Sequence, residues 1–351
     1  MSKLADRIRD VLASAPSPRG PGLLTAESVR SGGPTLPKAP ARTIETNLES
    51  ALGGEWRRHG DASCFVVEAR RERSSRHGHL SVGALADGLR EAADDVPLLA
   101  GFPLRAPFLF FDLETTGLSG GAGTFAFLVG CGWFDDAGAF VTRQFMLARL
   151  ADERALLSSL AGELSRAGAL VSFNGRSFDA PLIETRYLYH RLPWTGAALP
   201  HLDMLHIARR FWKRRDGAPA DPAQESSCSL IALERQLLGH RRHGDVPGFE
   251  IPQRYFQFVR SGDARLLAPV FEHNRLDLLS LAALTARAVK LVRTGPGGAR
   301  EPPEALALGG IYTRSGLDAR AREAYERAIE LSSASSASSA SSASSASSLI
   351  E

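Results

Sequence analysis

Three strand-like runs between residues 108 and 147 constrain this chain more than any other feature. FLFFDLETT, TFAFLVGCGWF and FVTRQFML are separated by Gly- and Asp-rich turns. Such short apolar runs predict strands joined by tight connections, a meander. ADERALLSSLAGEL then predicts a helix capped by Asp152, with Leu156, Leu157, Leu160 and Leu164 on its buried face. ALVSFNG predicts a fourth, buried strand and FDAPLIETRYLYHRL the helix after it. Antiparallel strands followed by alternating strands and helices imply an α/β fold, a mixed sheet with helices on its faces. HLDMLHIARRFW, CSLIALERQLLG and FEHNRLDLLSLAALTARAVKLV predict a helical second half, and RRDGAPADPAQESS an exposed loop within it.

Acidic residues punctuate this pattern at suggestive places. Asp112 and Glu114 lie two apart on the first strand of the meander, so their side chains share a face. His273 and Asp277 lie four apart on a helix and share a face too. Asp179 stands between these segments, at the start of its own helix. Carboxylates beside apolar runs are costly unless paired, and a divalent cation is the obvious partner. Oxygen ligands without cysteine select Mg2+ or Mn2+ over zinc. Two such ions about 3.5–4 Å apart activate water and stabilise the leaving oxygen of a phosphodiester. With an ordinary pKa near ~6.5, a histidine such as His273 is suited to take the proton of that water.

Composition sets the frame. The 351 residues are 44% hydrophobic with a net charge of +3, so overall charge says little about partners. The three cysteines are scattered and odd in number, which fits neither a disulfide framework nor a zinc site and predicts a reducing compartment. No run reaches the ~18 apolar residues of a membrane span, and the N-terminus lacks the apolar stretch of a secretory signal. A cytoplasmic location, with no membrane partner, is expected. Residues 3–13 predict a short amphipathic helix within a flexible segment, 1–43, and residues 44–104 form an extension of unclear fold containing the strand SCFVVEARR. Residues 302–331 place Leu308, Gly309, Tyr312, Gly316, Ala321, Tyr325 and Ala328 where a tetratricopeptide helix pair would. The tail 332–351 is a Ser/Ala repeat without apolar anchors and is expected to be disordered.

DLETTGL resembles the first motif of the DEDD exonucleases, 3′→5′ enzymes of the ribonuclease-H-like superfamily. SFNGRSFDAPLIETR resembles their second motif and EHNRLDLLSLAAL their third. Within that superfamily the chain is most similar to the bacterial YprB-like group, which couples this domain to tetratricopeptide repeats. The resemblance covers residues 105–292 and the repeat. It implies a ribonuclease-H-like mixed sheet and a metal-dependent exonuclease of single-stranded DNA or RNA ends. Two Mg2+ or Mn2+ ions would be held by Asp112, Glu114, Asp179 and Asp277. Exonucleases of this kind that use His place it five residues before the last Asp; here His273 stands four before, the spacing of the Tyr-using branch. The resemblance further implies that Thr115, Thr116, Gly117 and Leu118 contact the terminal nucleotide. Asn174 either holds the scissile strand or caps a turn, and Asp203 falls where related enzymes keep an Asp, with helix capping as the alternative.

Two basic clusters are candidates for phosphate grip: Arg209, Arg210, Lys213, Arg214 and Arg215 around Phe211 and Trp212, and Arg241, Arg242 and His243. The two aromatics are either core or a stacking platform. Gly120, Gly121 and Gly123 lack the Lys-Ser/Thr of a P-loop and predict a hairpin. The rival readings are a catalytically silent module that binds nucleic acid or protein through the repeat, and a structure-specific endonuclease on the same fold.

Overall fold

The computed structural model describes residues 41–117, 123–213 and 228–347; the expected N-terminal helix, the loop after Lys213, Leu118, Gly120 and Gly121 lie outside them. Helix α1 (Ala41–Leu52) leads into β1 (Glu55–His59), β2 (Ala62–Arg71) and the small hairpin β3 (Arg76–His77) and β4 (Leu80–Ser81). Helices α2 (Val82–Glu91) and α3 (Val96–Ala100) follow, then the meander β5 (Phe108–Thr115), β6 (Ala126–Phe134) and β7 (Phe140–Met146). Next come α4 (Glu153–Leu164), β8 (Ala169–Ser172), α5 (Asp179–Tyr189), β9 (His201–Asp203) and α6 (Met204–Phe211). Helix α7 (Leu230–Leu233) runs into a π turn, Glu234–Leu238. Helix α8 (Ile251–Ser261), the long α9 (Ala268–Thr294), α10 (Pro302–Arg314) and α11 (Asp318–Ser347) complete the chain.

Seven strands form one mixed sheet in the order β1-β2-β7-β6-β5-β8-β9. The meander pairs antiparallel as its turns require, while β5, β8 and β9 run parallel. Alternation along β5 assigns its side chains to opposite faces. Leu109, Phe111 and Leu113 join one core, with Leu156 and Leu160 of α4 and Tyr255 and Phe258 of α8. Phe110 joins the other, with Leu85 of α2, Ile207 of α6 and Leu278 and Leu281 of α9. Asp112 and Glu114 therefore stand on the face that α9 covers.

Three local outcomes differ from the expectation. Asp152 does not cap α4 with its side chain; it accepts from the Ser63 backbone N–H (3.2 Å) and Arg149 Nε (2.5 Å), tying α4 to β2. HLDMLHIARRFW is not helical throughout, because His201–Asp203 add a parallel edge strand to β8 before the helix begins. The final helix continues through the Ser/Ala tail to Ser347. That stretch contains no Gly or Pro to stop it, and Ala is the best helix former.

Helices α10 and α11 pack on each other and on the preceding domain. Leu308, Ile311, Tyr312 and Ala324 are buried in the same cluster as Leu284 and Val289 of α9. Tyr312 Oη donates to the Val292 carbonyl (2.8 Å), and Trp212 Nε1 donates to Glu304 Oε1 (3.1 Å). Among the described residues no helix is long and apolar enough to cross a membrane, and the three cysteines are buried and form no disulfide.

Candidate active site

The site forms at the carboxyl ends of the parallel strands, where open α/β sheets place their ligands. Strand β5 delivers Asp112 and Glu114, and its pairing with β6 shifts register between Glu114 and Thr115. Such irregularities re-aim side chains beside active sites. The turn after β8 leads to Asp179, the first residue of α5, with Phe178 rather than Asp179 in the N-cap position. Helix α9 lays His273, Asn274 and Asp277 across the same end of the sheet.

These acids are close enough to perturb one another. Burial pushes the Asp112 carboxyl well above its ordinary value, and the charges of Asp277, Glu114 and Asp179 push it further. Glu114 is raised by burial, then by Asp277, Asp179 and Asp245, with Arg242 partly offsetting them. Burial and the Asp203 charge raise Asp179 to about 7. The donor set suits a hard divalent ion: it is all oxygen, crowded and mutually repelling. Among the described residues no three acidic, His or Cys side chains are gathered tightly enough to hold an ion as they stand. Asp277 is engaged elsewhere, in an ion pair with Arg242.

Several residues of this site escape a reading by motif. Asn274 Nδ2 donates to Asp112 Oδ2 (2.7 Å), while its Oδ1 accepts from Gln144 Nε2 (2.8 Å). Gln144 Nε2 also donates to the Phe271 carbonyl (2.9 Å), so β7, α9 and the central carboxylate form one chain of hydrogen bonds. Asn274 stands next to His273 in the third motif, a position that could have signalled it. Arg242 and Asp245 come from a segment with no periodicity to mark them.

Arg242, a member of the second basic cluster, does not face solvent: its side chain is only 4% exposed and turned into the site. It pairs with Glu234, Asp277 and Asp245. His273 is buried, with Nδ1 2.7 Å from Asp245 Oδ1 and Nε2 3.5 Å from Asp277 Oδ2. Against the cost of burial, His273 and Arg242 hold Asp245 below the usual carboxylate range.

The turn leading to Asp179 is fastened by Asp203. Its carboxylate accepts from the backbone N–H of Asn174 (2.8 Å), Arg176 (3.2 Å) and Leu205 (3.0 Å). It thus caps α6 and clamps the turn together. Asn174 has a left-handed φ of 68°, which Asn tolerates better than most residues, and so serves the turn through its backbone. At the end of β5, Thr115 Oγ1 donates to the Gly117 carbonyl (3.0 Å), and Thr116 Oγ1 accepts from the Phe125 N–H (3.0 Å).

Arg209, Arg210 and Lys213 are exposed, in and after the last turn of α6. By helix rise Arg209 and Arg210 lie roughly 10 Å beyond Asp203, and Lys213 follows past the end of the helix. Phe211 and Trp212 are core residues and offer no stacking face. Phe178, by contrast, is 56% exposed beside Asp179.

A model of the RNase_H superfamily, RNase_H_2, matches residues 109–289. This chain belongs to the RNase H superfamily. It is also 32% identical over 294 residues to Uncharacterized protein YprB of Bacillus subtilis (strain 168), across 79% of this chain and 67% of that protein. The RNase H match takes in β5 to β9 and all four acids; β1 to β4 and the helix pair α10–α11 fall outside it. The RNase H sheet nevertheless continues into β2 and β1, so residues 55–71 extend that domain.

Proposed function

We propose that this chain is a metal-dependent nuclease that trims single-stranded nucleic acid from its 3′ end. The observation that carries this reading is the gathering of Asp112, Glu114 and Asp179 as buried carboxyls with Asp277 close by: burial first, and the charge of neighbouring carboxylates second, raise all three above their ordinary values. A fold gains nothing from buried like charges unless something opposite joins them. RNase H-like domains offer such a place to divalent ions. When bound, Mg2+ or Mn2+ ions supply an activated water and neutralise charge on the leaving oxygen.

The chain's own residues do the rest. Asp112, Glu114, Asp179 and Asp277 hold the ions, and Asn274 fixes the orientation of Asp112. His273, oriented by Asp245, takes the proton of the attacking water. Backbone groups of Thr115 to Gly117 meet the terminal nucleotide, and Leu118 supplies an apolar contact. Phe178 stacks on a base, which suits single strands of any sequence. Asn174 holds the turn beneath the scissile strand, and Arg209, Arg210 and Lys213 grip phosphates farther along. Buried cysteines without a disulfide between them suit a cytoplasmic setting.

The test is degradation of 5′-labelled single-stranded RNA and DNA with Mn2+, Mg2+ or EDTA, beside Asp112→Ala. A metal-dependent ladder shortening from the 3′ end, lost in the variant, is expected. Cleavage of a circular strand would instead indicate an endonuclease. A second reading has its own observation: Leu306, Tyr325 and Ile329 are exposed on α10 and α11. As a tetratricopeptide-type unit, that pair would serve a protein partner. Binding without cleavage under any metal would leave this as the working surface.

A further inference from the structure

Arg242 is gripped from behind. Glu234, wholly buried in the π turn, accepts from Nε at 2.8 Å and from Nη2, a two-point fork. The same Nη2 pairs with Asp277, and Nη1 lies 3.1 Å from Asp245 Oδ2. One guanidinium thus serves three carboxylates. Removing it from Glu234 would leave a buried charge uncompensated, so the anchor end stays in place. The Asp277 end is different. An ion using Asp277 as a ligand competes for the carboxylate that Arg242 holds through Oδ1, and the two positive charges repel at short range. Asp245 offers Arg242 somewhere to go, because it keeps the fork paired when Asp277 lets go.

We propose that Arg242, anchored on Glu234, is a tethered cation that holds Asp277 until a second divalent ion displaces it toward Asp245. This rests on the metal-dependent reading above and assigns a further residue to that site. Asp112, Glu114 and Asp179 take the first ion without disturbing Arg242. The second must break the Arg242–Asp277 pair, so the two ions bind with unequal affinity. Binding of the second ion is therefore a property of the 234–245 segment as much as of the four acids.

The experiment is titration of the full chain with Mn2+ alone, without nucleic acid, read by calorimetry and by the electron paramagnetic resonance of free Mn2+. Two variants accompany it. The double substitution Glu234→Gln/Arg242→Met removes both charges of the anchor pair, so no buried carboxylate is stranded at position 234. Arg242→Lys keeps the pair with Glu234 and protects folding, but a single ammonium lacks the reach of the fork. Thermal melts establish that both are folded.

The native chain is expected to show two steps, and the double variant to tighten the second by about tenfold or more with the first unchanged. Arg242→Lys should tighten it in the same direction by about threefold. Should the double variant not fold, Arg242→Lys alone decides. Isotherms identical to the native one, or a second step weakened by the substitutions, would overturn the tethered-cation role while leaving the metal site standing. Absence of any Mn2+ binding in the native chain would overturn the metal reading itself, and the role of Arg242 with it.

Discussion

Asp179 begins its helix in surroundings that favour the protonated acid. Burial is the larger cause and the Asp203 carboxylate the second, and together they raise it to about 7. In the metal-free chain the folded state therefore binds this proton more tightly than the unfolded state does. Between the ordinary Asp value near ~3.9 and about 7, the unfolded chain loses the proton first, so stability falls as pH rises and levels off beyond. Melting temperature measured in EDTA across that window should decline for the native chain. Asp179→Asn has no carboxyl to titrate and should decline less. A parallel decline in both would mean that Asp179 is not the group responsible. Because ligands bind as carboxylates, saturating Mn2+ should abolish the slope from this residue.

At the scale of elements, the site depends on how closely α9 approaches the sheet. Gly130 of β6 pairs with Asp112 of β5, and a Cβ there would lie 2.2 Å from Asn274 Oδ1. The absence of a side chain on one strand lets Asn274 reach the carboxylate on the next. Gly130→Ala should force Asn274 away, at a cost of about 1–3 kcal/mol in chemical denaturation. Its Mn2+ affinity should fall as well, since Asp112 loses its orienting donor. Unchanged stability and affinity would show that α9 has room to give.

The sequence shows some of this and hides the rest, for reasons that lie in the same elements. Asp112 with Glu114 and His273 with Asp277 follow the periods of strand and helix, so shared faces are legible locally. Asn274 lies within a legible motif, but an Asn on a helix carries no mark of its partner. Arg242 and Asp245 sit beyond a π turn, in a stretch without repeating pattern, and their place is set by the path of the chain. SCFVVEARR is legible as a strand; its pairing with β7 joins segments far apart in the chain and leaves no local trace.

At the scale of the whole molecule, the parts outside the family match are packed into the domain. On one edge β2 pairs with β7 from Phe65↔Met146 to Arg71↔Phe140. On one face, Val82, Leu85 and Leu89 of α2 share a core with α9, as do Leu308 and Tyr312 of α10. The limits of the RNase H match and the limits of cooperative structure are thus different boundaries. A fragment cut to residues 105–292 would bare the full length of β7 as an unpaired edge and uncover the α9 face, the conditions for edge-to-edge association. Expressed alone, it should elute from gel filtration as aggregate, whereas a chain beginning at residue 41 should remain dispersed; a monodisperse short fragment would contradict this. For anyone dividing this protein for study, the useful scissors follow the sheet.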